Sequence, residues 1–439
     1  MIALARKLRS ATSSGFLAKA ARLASGHATG YAVTFALSPV LARIYGPEAF
    51  GLYALFVLAL STLGPVATLR FDQAIPLAAG RRAAGVLASL ALVATMGMAI
   101  VGLLLAELVS AALGRWGIGV GDAVLLPLVA VGVLCFSLYQ IVAGLLLGDG
   151  MYRELARMRV VYALISAAAH LAIPFAIGST KLGLPAGQAI GFAAAAIYGC
   201  FQLRQQGVVR LPIATRTFKR FAVRYQKFAV FGVPAAVVAN LGLHAPALLL
   251  ALLFGLEAAG VFALAQRVFT TPLTLVTNSF SRTFLAEARE SRQSGRLEEL
   301  FRSAIKGACL LTAPPIALVA VVAPWAFGPV FGADWTAAGW VFALLAPMVL
   351  AYVLAQVVGP TFDITGQQAV RLRQETLCTL LVCLGITGAF LMGLPYLVSI
   401  AGGAVGGTLG YALLVASAAR YARQEASPAT QHAPVGKAA

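Results

Sequence analysis

One arginine of this chain lies inside a segment that is otherwise apolar enough to cross a membrane. Arg267 is near the centre of residues 258–278, which carry no other charged side chain. An arginine at that depth costs about 2.5–3.5 kcal/mol on insertion scales, and its guanidinium group suits bidentate binding of phosphate. The residue therefore predicts a polar cavity for an anionic ligand. The alternatives are a polar partner such as Asn240 or Gln266, or a side chain that reaches the membrane surface.

Two more arginines lie where apolar segments end. Arg70 follows the second such segment, on the side predicted below to face the cytoplasm, and could capture an anionic headgroup. A structural contact with Asp72, or an ordinary cytoplasmic charge, explains Arg70 at least as well. Arg43 lies near the external end of the first segment, where it fits either an exit-side anion contact or an interfacial anchor.

Histidine and asparagine side chains add hydrogen-bonding groups to the apolar segments. His27 and His244 each lie on the first apolar segment of one half of the chain. They could line a cavity, donate to hydroxyl groups of a ligand or titrate with a proton gradient, although a buried, hydrogen-bonded histidine is the simpler interpretation. Asn240 is a candidate hydrogen-bond donor to the same ligand. The candidate binding residues are therefore Arg267, Arg70, Arg43, His27, His244 and Asn240.

The sequence lacks the usual patterns of catalytic and metal-binding sites. It has no nucleophile elbow, no P-loop and no H-E-x-x-H pattern. The four histidines are scattered, and the five cysteines lie in apolar segments without metal-ligand spacing. We therefore expect no enzymatic activity, no cofactor and no metal. Any driving force should come from an ion gradient, the membrane potential or substrate mass action.

The composition is that of a membrane protein. The chain is 60% hydrophobic and 11% charged, with a mean hydropathy of +0.88, whereas soluble domains are about 25% charged. The net charge of +18 is spread over loops that can face anionic lipid. Because there is no basic domain with interleaved aromatic residues, nucleic acid is not an expected partner.

Hydropathy and charge together predict the topology. Of the 33 lysines and arginines, all but Arg43, Arg115, Lys181 and Arg267 fall in the two tails and in every second loop. Under the positive-inside rule, this alternation predicts an even number of spans with both termini in the cytoplasm. We expect an all-α fold, since only helices or closed barrels satisfy their backbone in lipid. The twelve predicted spans lie near 25–44, 49–69, 84–109, 123–147, 160–177, 186–203, 229–254, 258–278, 304–324, 336–358, 376–393 and 396–418.

A short repeat divides the chain into two halves of six spans. Residues 46–55 read GPEAFGLYAL and residues 255–264 read GLEAAGVFAL, with six of ten positions identical at an offset of 209. Glu48 and Glu257, which match, are predicted to lie at helix N-termini, where a carboxylate favours the helix dipole. Transporters place their substrate path between parallel repeats of this kind. The alternative is a duplicated membrane protein that does not transport.

The predicted organisation follows from these segments and from one long basic loop. That loop carries seven lysines and arginines and no acid. We expect an N-terminal cytoplasmic or interfacial segment at 1–24, an N-terminal lobe at 25–203, a basic cytoplasmic linker at 204–228, a C-terminal lobe at 229–418 and a disordered cytoplasmic tail at 419–439.

The stretch from Ala42 to Ile75 carries a family resemblance. It contains Gly46–Pro47–Glu48, then Phe50–Gly51–Leu52–Tyr53, and a span that ends in Arg70–Phe71–Asp72; the segment Asp363–Thr365–Gly366–Gln367 adds a second feature. This pattern resembles Wzx-type polysaccharide flippases, the polysaccharide transporter branch of the superfamily that also holds MATE multidrug exporters and lipid flippases. The resemblance implies a MATE-like, two-lobed helical bundle with a central cavity.

The resemblance also implies a substrate and partners. The substrate would be an undecaprenyl-pyrophosphate-linked oligosaccharide, moved across the bacterial inner membrane for a surface polysaccharide such as the O-antigen of lipopolysaccharide or an exopolysaccharide. The implied partners are membrane lipids, a polysaccharide polymerase and the initiating glycosyltransferase.

Two other functions remain open. A MATE-like cation antiporter would need carboxylates deep in its spans, yet all 15 acids lie in predicted loops or near span ends. A non-transporting scaffold of envelope assembly would need no polar cavity.

Overall fold

The computed structural model describes residue 33 and residues 35–115, 125–178, 181–207 and 215–426. Within these ranges the chain is built of α-helices and contains no β-strand, so the predicted all-α class is confirmed. The helices are α1 (Phe35–Ile44), α2 (Pro47–Ala67), α3 (Arg81–Arg115), α4 (Leu125–Gly148), α5 (Tyr152–Ile177), α6 (Gly183–Gln205), α7 (Thr215–Arg224), α8 (Val233–Phe254), α9 (Leu256–Gln293), α10 (Leu297–Phe331), α11 (Thr336–Val358), α12 (Gln368–Leu391) and α13 (Tyr396–Ala426).

Ten of the described helices are long and apolar enough to cross a membrane, namely α2–α6, α8 and α10–α13. The chain is therefore a multi-pass membrane protein. The other two predicted spans correspond to α1, which is described only from Phe35, and to α9, a 38-residue helix that carries Arg267. A total of twelve spans and the cytoplasmic placement of both termini stay predictions.

Helix α5 begins earlier than the hydropathy indicates. The span was predicted to start at residue 160, but the helix starts at Tyr152. Glu154 lies in its first turn, where a carboxylate favours the helix dipole, and it pairs with Arg157 at 3.0 Å. Arg157 and Arg159, assigned from the sequence to a loop, therefore lie within the helix.

The predicted basic linker contains the amphipathic helix α7. Phe221, together with Tyr225 and Phe228 just beyond the helix, packs against the core formed by helices α3 to α6. The rings of Phe221 and Tyr225 stack with centroids 6.2 Å apart. Lys219 and Arg220 on the same helix are exposed. This part of the linker is thus anchored by aromatic side chains and presents its cations outward.

The chain divides into two compact units. The first comprises residues 1–45 and 52–241, and the second comprises residues 46–51 and 242–439. The division falls within α8, whereas the lobe boundaries expected from the sequence stay predictions. The core of the first unit includes Phe71, Ile75, Leu87, Leu146 and Leu155. The core of the second includes Phe284, Phe301, Val357, Phe362 and Leu414.

The two copies of the sequence repeat touch each other through glycine. Within the second unit, a Cβ atom built on Gly51 would overlap the backbone carbonyl of Leu256, and one built on Gly260 would overlap the carbonyl of Pro47. Pro47 and Leu256 are the equivalent first residues of α2 and α9. The contact is therefore reciprocal. Backbones can approach this closely only where both side chains are absent, as in other membrane helix pairs.

Replacement of either repeat glycine by alanine should destabilise the protein. We expect Gly51→Ala and Gly260→Ala each to cost about 1–3 kcal/mol, because the added methyl group forces the two helix ends apart. The measurement is the thermal unfolding midpoint of the purified protein in detergent. Gly388→Ala in α12 is the control, since nothing lies within 4 Å of a Cβ there. Equal midpoints for all three variants would contradict the packing described.

Candidate functional site

A strained corner follows α2 in the first unit. Leu69 and Arg70 both adopt the left-handed conformation, with φ angles of 50° and 58°. This region is unfavourable for side chains larger than glycine, and each such residue costs about 1–3 kcal/mol. The corner turns the chain out of α2 and into the short helix Phe71–Ala74. A conformation that costs this much needs support from its surroundings.

Asp72 supplies that support from inside the protein. Its side chain is buried, with 7% of its surface exposed. The hydroxyl of Thr68 donates to Asp72 Oδ1 at 2.7 Å, and the amide of Gln73 donates to Oδ2 at 3.4 Å. Because Thr68 precedes the corner and Asp72 follows it, the first bond closes the chain across Leu69 and Arg70.

Arg70 is therefore held by the corner without forming an ion pair. Among the residues that the structure describes, no carboxylate lies within ion-pair distance of its guanidinium group. The side chain is half-buried, and its Cγ would lie 3.6 Å from a Cβ on Gly232. Gly232 ends the π-helical turn Phe228–Gly232 that leads into α8, and such widened turns are frequent at functional sites. The Arg70–Asp72 contact considered from the sequence is not formed.

Asn240 is half-buried on α8 and already has a backbone partner. Its side-chain amide donates to the carbonyl oxygen of Ser61 on α2 at 2.7 Å. A second donor hydrogen and the amide oxygen leave Asn240 some capacity for a ligand, but the bond to Ser61 gives it a structural role. Arg43, on α1, is exposed.

The side chain of Tyr45, in the turn after α1, fixes this turn to α5. The hydroxyl of Tyr45 donates to the carbonyl oxygen of His170 at 2.8 Å. Burial raises the pKa of Tyr45 to about 12, so the hydroxyl stays a hydrogen-bond donor even in strongly alkaline solution.

Arg267 and His244 belong to the second unit. Arg267 is half-buried in α9, between the buried residues Leu264 and Phe269. Arg267 therefore lies in a packed stretch of α9, with buried side chains before and after it along the helix. His244 is half-buried in α8, two residues before the internal Pro246. His27 lies outside the described residues.

The structure adds a polar cluster that the sequence reasoning missed. Glu154 accepts a hydrogen bond from the hydroxyl of Tyr198 on α6 at 3.1 Å and one from Arg157 at 3.0 Å. Arg159, two residues beyond Arg157 on α5, has its Nη1 atom buried without a hydrogen-bond partner among the described residues. The spacing Glu154–Arg157 is a helical ion-pair signal, but hydropathy starts the predicted span at residue 160 and so leaves these charges in a loop. Within the described ranges, no group of three His, Cys, Asp or Glu side chains could hold a metal ion.

Removal of the Thr68–Asp72 bond should loosen the corner. Thr68→Val and Asp72→Ala are each expected to cost about 1–3 kcal/mol, because each leaves a buried group unpaired. The double variant should cost less than the sum, with a coupling of about 0.5–3 kcal/mol. Thermal unfolding of the wild type, both single variants and the double variant measures this. Strictly additive effects would show that the two side chains act independently.

Comparison with solved structures shows where this fold occurs. The chain is similar to the lipid II flippase MurJ in an inward closed conformation, with a TM-score of 0.67 and 13% identity over 91% of this chain and 87% of that one. It is also similar to an inward-facing multidrug resistance MATE family transporter of the MOP superfamily, with a TM-score of 0.64 and 14% identity over 94% and 95% of the two chains.

A third similar structure is a MOP superfamily transporter from Pyrococcus furiosus, described as having a binding pocket of reverse polarity. Its TM-score is 0.60, at 15% identity over 93% of this chain and 95% of that one. At these identities the likeness establishes the fold alone. A comparison with curated protein sequences gave no match.

The sequence also matches a model of one protein family. The model is described as polysaccharide biosynthesis protein and matches residues 40–339. The match begins just before Arg43 and extends beyond the end of α10, so it includes both copies of the repeat and most of the candidate residues. The chain therefore belongs to the polysaccharide biosynthesis protein family and has the fold of MOP superfamily flippases and transporters.

Proposed function

We propose that this protein moves undecaprenyl-pyrophosphate-linked oligosaccharides across the bacterial inner membrane for the synthesis of a surface polysaccharide. Membership of a polysaccharide biosynthesis family and the fold of flippases and transporters support a membrane flippase or transporter rather than a catalytic enzyme. The pyrophosphate group makes the substrate anionic, so the protein must offer it cations. The proposed partners are membrane lipids, a polysaccharide polymerase and an initiating glycosyltransferase.

The observation that carries the proposal is the guanidinium group of Arg70, which has no ion-pair partner among the residues that the structure describes. Its side chain is half-buried, and its backbone is strained. A cation positioned in this way is prepared for an anionic ligand, and a guanidinium group can bind pyrophosphate through two parallel hydrogen bonds. Arg267, which lies within α9 of the second unit, is a separate candidate for an anion contact.

The proposed mechanism is alternating access. The pyrophosphate group pairs with cationic side chains while the two lobes rock, and the polyprenyl tail stays in lipid. Such movement of one repeat against the other is the usual mode of transporters built from internal repeats. An ion gradient, the membrane potential or mass action would supply the energy.

A MATE-like cation antiporter is the second candidate, and its support is the likeness to MATE transporters. A cationic substrate would need an interior carboxylate that is free to bind it. Asp72 is the buried acid among the described residues, and its two oxygens already accept hydrogen bonds from Thr68 and Gln73. The arrangement of charge thus favours the anionic substrate.

Chromosomal deletion with complementation tests the proposal. Deletion should abolish the surface polymer and leave lipid-linked intermediate on the cytoplasmic leaflet, and the wild-type gene should restore the polymer. Arg70→Gln and Arg267→Gln should each lower the polymer at least about tenfold, since a lost charge-assisted hydrogen bond is worth about 1.5–3 kcal/mol. Surface polysaccharide and accumulated intermediate are measured in the same cells.

Two exposed arginines serve as matched controls for the lost charge. Arg204→Gln, at the end of α6, and Arg373→Gln, in α12, remove the same charge from surface positions and should leave the polymer unchanged. Normal polymer after deletion, combined with altered sensitivity to cationic drugs, would favour the antiporter instead. Polymer that is lost on deletion but fully restored by Arg70→Gln and by Arg267→Gln would favour a scaffold.

A further inference from the structure

Arg159 is a third arginine of the membrane region, and neither the repeat nor the family resemblance singles it out. It lies seven residues after the start of α5, which is about 10 Å along the helix axis. If α5 begins at the membrane surface, that distance places the Cα atom of Arg159 a few ångströms inside the hydrocarbon core, below a headgroup layer about 5–8 Å thick. An arginine at this depth can extend its side chain toward the interface, where lipid phosphates lie.

The guanidinium group of Arg159 is incompletely satisfied. Its Nη1 atom is buried and has no hydrogen-bond partner in the part of the chain that the structure describes. The residue as a whole is half-buried, so part of the side chain remains accessible. An arginine keeps its charge even when buried. A buried cation without a partner costs free energy, and a bound anion would recover it.

The surroundings of Arg159 differ from those of the other arginines on α5. Arg157 pairs with Glu154, and Arg153 is exposed. Arg159 precedes Tyr162 by three residues, so the two lie on the same face of the helix. Tyr162 stacks on Phe192 of α6 with ring centroids 4.6 Å apart.

Tyr139 is a third aromatic ring in contact with this pair, and we call Tyr139, Tyr162 and Phe192 the ring cluster. Tyr139 of α4 lies 5.9 Å from Tyr162 and 5.3 Å from Phe192 between ring centroids. The cluster joins α4, α5 and α6, and it gives the face of α5 that carries Arg159 an apolar wall. Charge-assisted hydrogen bonds are stronger in such low-dielectric surroundings than in water.

We propose that Arg159 binds a phosphate oxygen of the lipid-linked substrate in the first unit, with the ring cluster as the apolar wall of the site. This inference rests on the proposed function, because it takes the substrate to be a polyprenyl pyrophosphate. The same chemistry could come from an anionic phospholipid headgroup, and the experiment separates the two sources.

Binding to the full-length protein in phosphatidylcholine nanodiscs tests the inference. Native mass spectrometry measures the Kd for undecaprenyl pyrophosphate and, separately, for phosphatidylglycerol. Arg159→Gln should weaken binding of undecaprenyl pyrophosphate by about tenfold or more, which is 1.4 kcal/mol. Arg153→Gln, the control on the exposed side of the same helix, should stay within about twofold of the wild type. Binding of phosphatidylglycerol should not change.

Three other results of this binding experiment would each lead to a different conclusion. Equal binding of undecaprenyl pyrophosphate by Arg159→Gln and the wild type would overturn the role of Arg159 and leave the proposed function intact. An equal loss for phosphatidylglycerol would overturn the substrate assignment in favour of general lipid binding. A wild type that does not bind undecaprenyl pyrophosphate at all would contradict the proposed function itself, and this inference with it.

The thermal unfolding midpoint separates binding from a structural role. Removal of the half-buried Arg159 cation, which has no partner among the described residues, should leave the thermal unfolding midpoint of the ligand-free protein unchanged or raise it, because no favourable contact is lost. Arg159→Lys keeps the positive charge but lacks the planar guanidinium group. Its affinity for undecaprenyl pyrophosphate should lie between those of the wild type and Arg159→Gln. A fall of more than about 4 °C for both variants would show that Arg159 supports the fold and would overturn the inference.

Discussion

The backbone of a chain in lipid must satisfy its own hydrogen bonds, and the rest of this structure depends on that constraint. Helices meet the requirement within single segments, but lipid gives apolar helices little reason to associate with one another. Close packing has to hold them together. The reciprocal contacts of Gly51 and Gly260 are one solution, and the approach of Gly385 to the backbone of Gly402 between α12 and α13 is another. Van der Waals packing, including close backbone contacts, thus takes the place of the hydrophobic effect between helices.

The same constraint explains why the charged residues are so informative. Most basic side chains in the described part of the chain are exposed or form ion pairs, as Arg81 does with Asp149 and Arg302 with Glu298. Arg70 and Arg159 differ, because each is half-buried and neither forms an ion pair among the described residues. Water cannot compensate such groups inside a membrane protein. Their unused binding capacity is the physical basis for the anionic substrate proposed here.

Much of the fold could be predicted because lipid imposes a simple pattern. Hydropathy located the helices, and sequence identity indicated the repeat before its copies were seen to touch. The corner at Leu69 and Arg70 could not be predicted, since neither residue favours the left-handed region and the bond from Thr68 to Asp72 that supports it depends on the folded chain. Arg159 was assigned to a loop because hydropathy averages over a window, and that average does not register which face of a helix a charge occupies.

The reciprocal glycine contact has the geometry of a symmetric dimer interface contained in one chain. Position 51 of the first copy meets position 256 of the second, and position 260 of the second meets position 47 of the first. In a two-fold homodimer the same residue of each subunit forms such a contact, so one substitution changes the interface at two places. Here the two halves are encoded separately. Each side can therefore change alone, so a reciprocal contact can join two helices that carry different charges.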